Sequence, residues 1–271
     1  MTFKEKLNRS TPEGKGICVG LDPVLERLPQ EVRDHPQPLR EFCSAIVQST
    51  WDLVSAYKVN LAYFERYGSH GWAQLESLIA SIPPGPLVIA DGKRNDVPHS
   101  AQIYASAAFE ELRVDALTVN PYLGRDSIQP FISYPEHGAF LLALTSNQGA
   151  NDLQTLDTDG IPLYLHIIRI AQELNHNQNI GLVIGATISE QWEAVSYASR
   201  PLPLLIPGVG AQGGDLQGVL NSLSSYPAPV LINVSRTVIY ASSGSDFAEA
   251  ARQEVVKLKK ILTGSGAKWE N

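Results

Sequence analysis

Eight short apolar runs recur along the chain, each about the length of a β-strand. The runs are almost continuously apolar and lack the polar alternation of a sheet that faces water on one side. This pattern is typical of parallel strands whose two faces are both covered by helices. The predicted strands are residues 17–21, 53–59, 87–90, 116–119, 140–144, 182–184, 204–206 and 230–232.

The segments between these runs carry apolar residues at helical spacing. The first has an apolar face made by Leu39, Phe42, Cys43, Ile46 and Val47. Strand and helix therefore alternate along the chain, which predicts a single (β/α)8 TIM barrel. An open, doubly wound sheet is the alternative, because short strands are easily miscounted. In both folds the chemistry gathers at the carboxyl ends of the strands.

The composition favours one globular domain spanning residues 1–271. The chain is 44% apolar, and no linker-like stretch divides it. A formal net charge of −7 argues against a basic surface that binds nucleic acid or a membrane. The start MTFKEKLNRS lacks the apolar core of a signal peptide, and no apolar run approaches the roughly 20 residues that span a bilayer. Cys18 and Cys43 form no CxxC motif, so we expect two small buried side chains in a cytoplasmic protein.

Polar residues follow the predicted strands in a regular way. Taken singly, each is better explained as a helix cap or a turn residue. Taken together, two lysines and several carboxylates that converge on one rim exceed what capping requires. These residues are Asp22, Lys58, Asn60, Asp91, Lys93, Asn120, Thr145, Ser146, Asn147, Ser235 and Arg236.

The segment ADGKRND, residues 90–96, carries the sharpest local pattern. Asp91 and Lys93 are two apart, so in an extended chain their side chains share a face. Asp96 lies where a loop can return it to the same cluster or offer it to a neighbouring subunit. Alternating carboxylate and ammonium groups keep each other ionised, and a lysine held protonated in a dry pocket is a proton donor. The competing interpretation is a surface ion pair that opens a helix.

A second candidate site is the glycine-rich run PGVGAQGGD, residues 207–215, with Ser235 and Arg236 after the next strand. Glycine lets backbone N–H groups approach an anion closely, and arginine offers a bidentate fork to phosphate oxygens. The loops after the seventh and eighth strands form the usual phosphate site of such barrels. A flexible loop is the competing interpretation. We therefore expect a ligand that carries a phosphate.

Other chemistries find little support in the sequence. The six histidines show no HExxH or comparable spacing, so we expect no metal site. The GxSxG motif of a nucleophilic serine is absent. The run GVGAQG resembles the GxGxxG motif of dinucleotide sites, but it lies late in the chain and no acidic residue follows at a ribose position. We expect no cofactor.

Seven short motifs follow one another along nearly the whole chain, and the set is far more specific than any one motif. They are GLDP (20–23), YKVN (57–60), DGKRND (91–96), NPYLG (120–124), TSNQG (145–149), PGVGAQGGD (207–215) and VSR (234–236). In this order they resemble the orotidine 5'-phosphate decarboxylase family, and its subgroup of slightly longer chains fits best. One departure is Gly92, which stands where the family often has a larger residue.

The resemblance implies a cofactor-free lyase that converts orotidine 5'-monophosphate to UMP and CO2 in de novo pyrimidine biosynthesis. It implies that Lys93 protonates C6 of the pyrimidine and that Asp91 stands beside the substrate carboxylate. It also implies that Asp96 arrives from the partner subunit. A homodimer would then be the smallest complete active unit.

The same resemblance implies roles around the rest of the nucleotide. Asp22 would bind a ribose hydroxyl, Lys58 would bridge the ribose and the first carboxylate, and Ser146 would hydrogen-bond the pyrimidine ring. The residues implied to hold the phosphate are Gln212, Arg236, Gly208 and Gly210. Those implied to bind the substrate less directly or to support the site are Asn60, Ser100 and Asn120.

Two other functions remain compatible with the sequence. The first is a related barrel decarboxylase or aldolase that acts on a sugar phosphate through a Mg2+-stabilised enediolate. Lys58 argues against it, because an acidic metal ligand is expected there, and sensitivity of turnover to a chelator separates the two. The second is a non-catalytic nucleotide-binding regulator. The presence of Asp91, Lys93 and Asp96 argues against it, whereas UMP binding without CO2 release would support it.

Overall fold

The barrel strands of this computed structural model are parallel and form a closed ring. The structure describes residues 1–188, 191–209 and 216–264. Within these ranges each barrel strand pairs with the next along the chain, and the last pairs with the first. The strands are β1 (Lys15–Leu21), β2 (Ala56–Asn60), β3 (Leu87–Arg94), β4 (Ala116–Val119), β5 (Gly138–Leu144), β8 (Ile180–Ile184), β9 (Leu204–Ile206) and β10 (Val230–Val234), with a hairpin of β6 (Asp157–Thr158) and β7 (Ile161–Pro162) outside the ring.

Helices follow the strands and cover the outside of the ring, so the predicted TIM barrel is confirmed. Pairing of β1 with β10 closes the sheet and excludes the open, doubly wound alternative. The helices are α1 (Phe3–Ser10), α2 (Gln30–Arg33), α3 (Pro38–Thr50), α4 (Ala62–Glu65), α5 (Gly68–Ser81), α6 (Pro98–Ser106), α7 (Arg125–Ile132), α8 (Ala150–Leu153), α9 (Leu163–Leu174), α10 (Trp192–Ala198), α11 (Leu216–Ser222), α12 (Arg236–Ile239) and α13 (Phe247–Leu262).

The second strand begins three residues later than the hydropathy pattern predicts, at Ala56 rather than at residue 53. Leu53 and Val54 are apolar because they pack against the core while they form the turn after α3. The backbone N–H of Leu53 donates to the carbonyl of Thr50, and strand pairing is approached only at Ser55, whose N–H donates to the carbonyl of Ile17. The hydropathy pattern reports which residues pack against the core, and these two residues do so without belonging to a strand.

The interior of the barrel changes from apolar to polar along the strands. On β3, Leu87 and Ile89 belong to an inner apolar cluster, and Asp91 lies two residues further in the same direction. The amino end of this interior is closed by α1, where the rings of Phe3 and Phe140 meet edge to face with centroids 6.0 Å apart. The alternation that builds the core therefore aims polar side chains into the carboxyl end of the barrel.

Both cysteines are fully buried and form no disulfide, as their small apolar character predicts. Burial raises the pKa of the Cys18 thiol to about 12, although the Lys58 ammonium acts in the opposite direction. Within the described ranges no helix is both long and apolar enough to cross a membrane.

Candidate active site

A cavity of about 610 Å3 opens at the carboxyl ends of the strands. Its walls bring together most of the polar residues that the sequence places after successive strands. The described residues that line it are Asp22, Lys58, Asn60, Tyr63, Asp91, Lys93, Thr118, Leu142, Thr145, Ser146, Asn147, Gln154, Val183, Leu205, Pro207, Gly208, Val209, Asn233, Ser235 and Arg236.

Asp91 lies between two lysines at the floor of the cavity. The ammonium of Lys58 donates to Oδ2 of Asp91 at 2.6 Å, and the ammonium of Lys93 donates to Oδ1 at 2.6 Å. Asp22 extends the row, with its Oδ1 atom 4.0 Å from Nζ of Lys58. Carboxylates and ammonium groups therefore alternate in the order Asp22, Lys58, Asp91 and Lys93.

The alternation keeps Asp91 and Lys58 ionised inside the barrel. Burial alone would raise the pKa of Asp91, but the charges of Lys58 and Lys93 and their hydrogen bonds hold it well below its usual range. Burial alone would lower the pKa of Lys58, but the charges of Asp22 and Asp91 hold it above its usual range. Asp91 is thus a fixed negative charge between two cations.

Lys93 reaches Asp91 by a different backbone geometry from the one that the spacing suggests. Its φ is +47°, in the left-handed region, so the extended conformation expected for the Asp91–Lys93 pair is wrong at Lys93. The pairing of β3 with β4 shifts between Ala90 and Arg94, which marks a bulge. A Cβ at Gly92 would lie 2.7 Å from Cδ1 of Leu61, so the departure at Gly92 coincides with close packing of this bulge.

The candidate phosphate residues that the structure describes lie on the same cavity. Gly208, with a φ of +97°, and Ser235 and Arg236 line its wall. Gly20 permits this arrangement, because a Cβ at that position would lie 1.8 Å from Oγ of Ser235. Gly210 and Gln212, which the sequence analysis also assigns to the phosphate, lie outside the described residues.

The loop after β5 brings Ser146 to the wall of the cavity. The side chain of Gln154 holds the base of this loop, since its Oε1 atom accepts a 2.8 Å hydrogen bond from the N–H of Thr145. Its Nε2 atom donates to Oγ1 of the same threonine at 2.9 Å. The loop packs closely on Gly185, where a Cβ would lie 2.6 Å from the Ser146 nitrogen. Packing on Gly185 and the contacts of Gln154 therefore fix the position of Ser146 on the cavity wall.

Asp96 and Asn120 do not line this cavity. Oδ1 of Asp96 accepts a hydrogen bond from the N–H of Val97 at 2.7 Å, and Oδ1 of Asn120 accepts one from the N–H of Tyr122 at 3.1 Å. Ser100 lies in the first turn of α6, whereas Asn60 lines the cavity. The capping role that the sequence analysis offers as the alternative thus describes the contacts of Asn120 within this chain.

Several lining residues carry no signal in the sequence. Thr118 lies in an apolar strand and looks like an ordinary strand residue, and Leu142, Val183 and Leu205 resemble core. Val183 and Leu205 belong to the inner apolar cluster of the barrel, Leu142 packs against it, and the three form an apolar part of the cavity wall. Periodicity could not single them out, because both faces of these strands are buried and both read as apolar.

The described part of the chain holds no group of three or more His, Cys, Asp or Glu side chains placed to bind a metal ion. The arrangement in this cavity that most resembles such a group is the pair of carboxylates of Asp22 and Asp91, and Lys58 lies between them. An ammonium in that position would repel a cation.

Known proteins similar to this chain agree with one another. The sequence model of the orotidine 5'-phosphate decarboxylase / HUMPS family matches residues 15–253. An orotidine 5'-phosphate decarboxylase of Herpetosiphon aurantiacus is 48% identical over 248 residues, which are 91% of this chain and 90% of that protein. One from a Roseiflexus species is 43% identical over 98% of both chains. The solved structure of Leishmania donovani OMP decarboxylase is 35% identical, with a TM-score of 0.81, covering 96% of this chain and 99% of that one.

Proposed function

We propose a mechanism for this chain on the premise that it belongs to the orotidine 5'-phosphate decarboxylase / HUMPS family. The chain is a lyase of pyrimidine biosynthesis that converts orotidine 5'-monophosphate to UMP and CO2. The observation that carries the mechanism is the row of alternating charges, in which Lys58 and Lys93 each lie 2.6 Å from Asp91. The substrate is placed so that the carboxyl group at C6 faces Asp91 and Lys93.

The rest of the nucleotide follows from this placement. The phosphate is bound by Arg236 and Gly208, together with Gly210 and Gln212, the ribose hydroxyls by Asp22 and Lys58, and the pyrimidine by Ser146. Two features of the cavity support this placement. The residues of this set that the structure describes all line the one cavity, and its volume of about 610 Å3 suits a mononucleotide. Oδ1 of Asp22 is buried without a hydrogen-bond partner within the described residues, and a ribose hydroxyl supplies one.

In the chemical step the bond between C6 and the carboxylate carbon breaks, and its electron pair stays on C6. This pair lies in the plane of the ring, so resonance does not relieve it. The Lys93 ammonium stabilises the developing charge and then transfers a proton to C6. Its side chain is 49% exposed, so water can return the proton after CO2 has left.

Asp91 accelerates the same step by raising the energy of the bound substrate. Its two oxygens accept hydrogen bonds from both lysines, and it remains ionised. A fixed carboxylate repels a bound carboxylate more than it repels neutral CO2, so it raises the energy of the ground state relative to the transition state. Binding energy from the phosphate holds the substrate against this repulsion.

The complete site is proposed to need two copies of the chain, with Asp96 entering the cavity of the partner. Two observations support this: Asp96 does not line its own cavity, and Val97 beside it is 56% exposed. Further exposed apolar side chains lie on α6, which follows Asp96, and on the segment after β4, and exposed apolar patches are typical of protein interfaces. They are Ile103, Tyr104, Tyr122 and Leu123. The whole chain then acts as one catalytic domain of a cytoplasmic homodimer.

An assay of CO2 release from orotidine 5'-monophosphate by the purified protein tests this function. The protein should turn over this substrate, and UMP should act as a competitive inhibitor. Tight binding of UMP without CO2 release would instead indicate a nucleotide-binding regulator and overturn the proposal.

A further inference from the structure

Thr118 lies between the two charged groups that carry the proposed chemistry. It is the third residue of β4, its side chain points into the cavity, and it is 1% exposed. Its Oγ1 atom accepts a 2.9 Å hydrogen bond from the backbone N–H of Lys93. The same hydroxyl donates a 2.9 Å hydrogen bond to Oδ1 of Asp91, the oxygen that also accepts from the Lys93 ammonium.

The backbone that Thr118 holds is irregular. β3 and β4 pair at Ala90 with Leu117 and again at Arg94 with Val119, so Asp91, Gly92 and Lys93 lie opposite Thr118 alone. A bulge of this kind leaves backbone groups of the longer strand without their regular ladder partners. The hydroxyl of Thr118 takes the place of such a partner for Lys93, whose φ of +47° is a conformation that L-residues rarely adopt.

We propose that Thr118 is a positioning residue for the decarboxylation: its hydroxyl ties the left-handed backbone of Lys93 to the carboxylate of Asp91 and so fixes the ammonium relative to C6. This inference rests on the proposed function, since Thr118 acts through Lys93 and Asp91. It needs no contact between Thr118 and the substrate.

The single hydroxyl of Thr118 is sufficient to position the Lys93 ammonium. Lys93 has a long side chain that is half exposed, so among the described residues its ammonium is held by its contact with Asp91 and by the position of its own backbone. Thr118 constrains both, because one hydroxyl bonds the backbone at one end and the carboxylate at the other. Proton transfer depends steeply on donor position, so a small displacement of Lys93 lowers the rate more than it lowers affinity.

The test is steady-state kinetics of Thr118→Val and Thr118→Ser with orotidine 5'-monophosphate. Valine keeps the shape of threonine and removes the hydroxyl, so kcat should fall by about 10- to 100-fold while KM changes by less than about threefold. Serine keeps the hydroxyl and should restore kcat to within about fivefold of the native enzyme. If Thr118→Val does not fold, Thr118→Ala is measured in its place.

Thr50→Val is the matched control. Thr50 is also fully buried, and its hydroxyl makes hydrogen bonds of 2.7 Å to the carbonyl of Ile46 and to the hydroxyl of Tyr57, outside the cavity. The Thr50→Val substitution should lower the unfolding midpoint without changing kcat. A native kcat in Thr118→Val, or failure of serine to rescue it, overturns the inference. If Lys93→Ala is inactive in the same assays, that failure leaves the proposed role of Lys93 intact; if Lys93→Ala is active, the proposed proton donor is wrong, although CO2 release by the native protein still supports the proposed function.

Discussion

The ammonium of Lys58 and the carboxylate of Asp91 form a 2.6 Å ion pair inside the barrel, where both side chains are almost fully buried. An isolated charge in such a position would be costly, and the pair is tolerable because Lys93 and Asp22 extend it on either side. The arrangement therefore ties the electrostatics of the site to the stability of the fold.

The Asp91 carboxylate should make stability depend on pH in the acid range. Its pKa is depressed in the folded chain, whereas the pKa of an aspartate in an unfolded chain is about 3.9. The stabilisation is thus complete above that value and is lost as the pH falls towards the folded pKa. In denaturant titrations, the free energy of unfolding of the native protein should fall by about 1 kcal/mol, relative to that of Asp91→Asn, between pH 5 and roughly pH 3.

The difference in free energy of unfolding between the native protein and Asp91→Asn should stay constant from about pH 6 to about pH 8. In this range Asp91 is ionised in both the folded and the unfolded chain. Parallel pH profiles throughout the acid range would show that Asp91 is not held ionised by its neighbours.

Replacement of Arg236 should weaken binding more than it slows chemistry. Arg236 lines the cavity beside Gly208, and in the proposed placement it binds the phosphate, far from C6. Arg236→Ala should therefore raise KM by more than it lowers kcat. The control is Arg125→Ala, which removes a half-exposed arginine that pairs with Glu173 outside the cavity. An unchanged KM for Arg236→Ala, measured beside this control, would contradict the phosphate assignment.

Asp96 should act in the site of the partner subunit. Asp96→Asn and Lys93→Ala should each be nearly inactive alone, because every site in either homodimer lacks one group. Mixing them with subunit exchange creates heterodimers in which one site carries both defects and the other carries neither. Random exchange of equal amounts makes about half of the dimers mixed, so activity should approach about a quarter of the native value.

Exchange itself is verified with differently tagged copies of the two variants. If mixed dimers form and activity stays at the level of the parents, Asp96 acts within its own chain and the shared site is wrong.

The barrel is predictable because its strands are covered on both faces and its helices on one, so hydropathy reports both. The prediction fails where burial occurs without strand pairing, as at Leu53 and Val54, which pack partly buried against the core just before the strand. The hairpin of Asp157–Thr158 with Ile161–Pro162 is also missed, since it is too short to carry a pattern.

The charged row is predictable in its members and not in its geometry. Asp91 and Lys93 meet as the spacing suggests, but through a bulge rather than an extended strand. A bulge depends on how two distant strands are paired, which local spacing does not contain. Thr118 escapes notice for the same reason, because its role comes from what lies opposite it on β3.

If the Lys93 ammonium supplies the proton to C6, its removal should abolish turnover, and Lys93→Ala removes that group alone. The control is Lys6→Ala, which removes a lysine 2.9 Å from Asp115 at the other end of the barrel. Both variants should fold, and Lys6→Ala should keep the native kcat. The measurement is kcat for CO2 release from orotidine 5'-monophosphate. The kcat of Lys93→Ala should fall below detection, whereas retention of more than about a tenth of native kcat, a loss of less than about 1.4 kcal/mol, would contradict the role of Lys93 as proton donor.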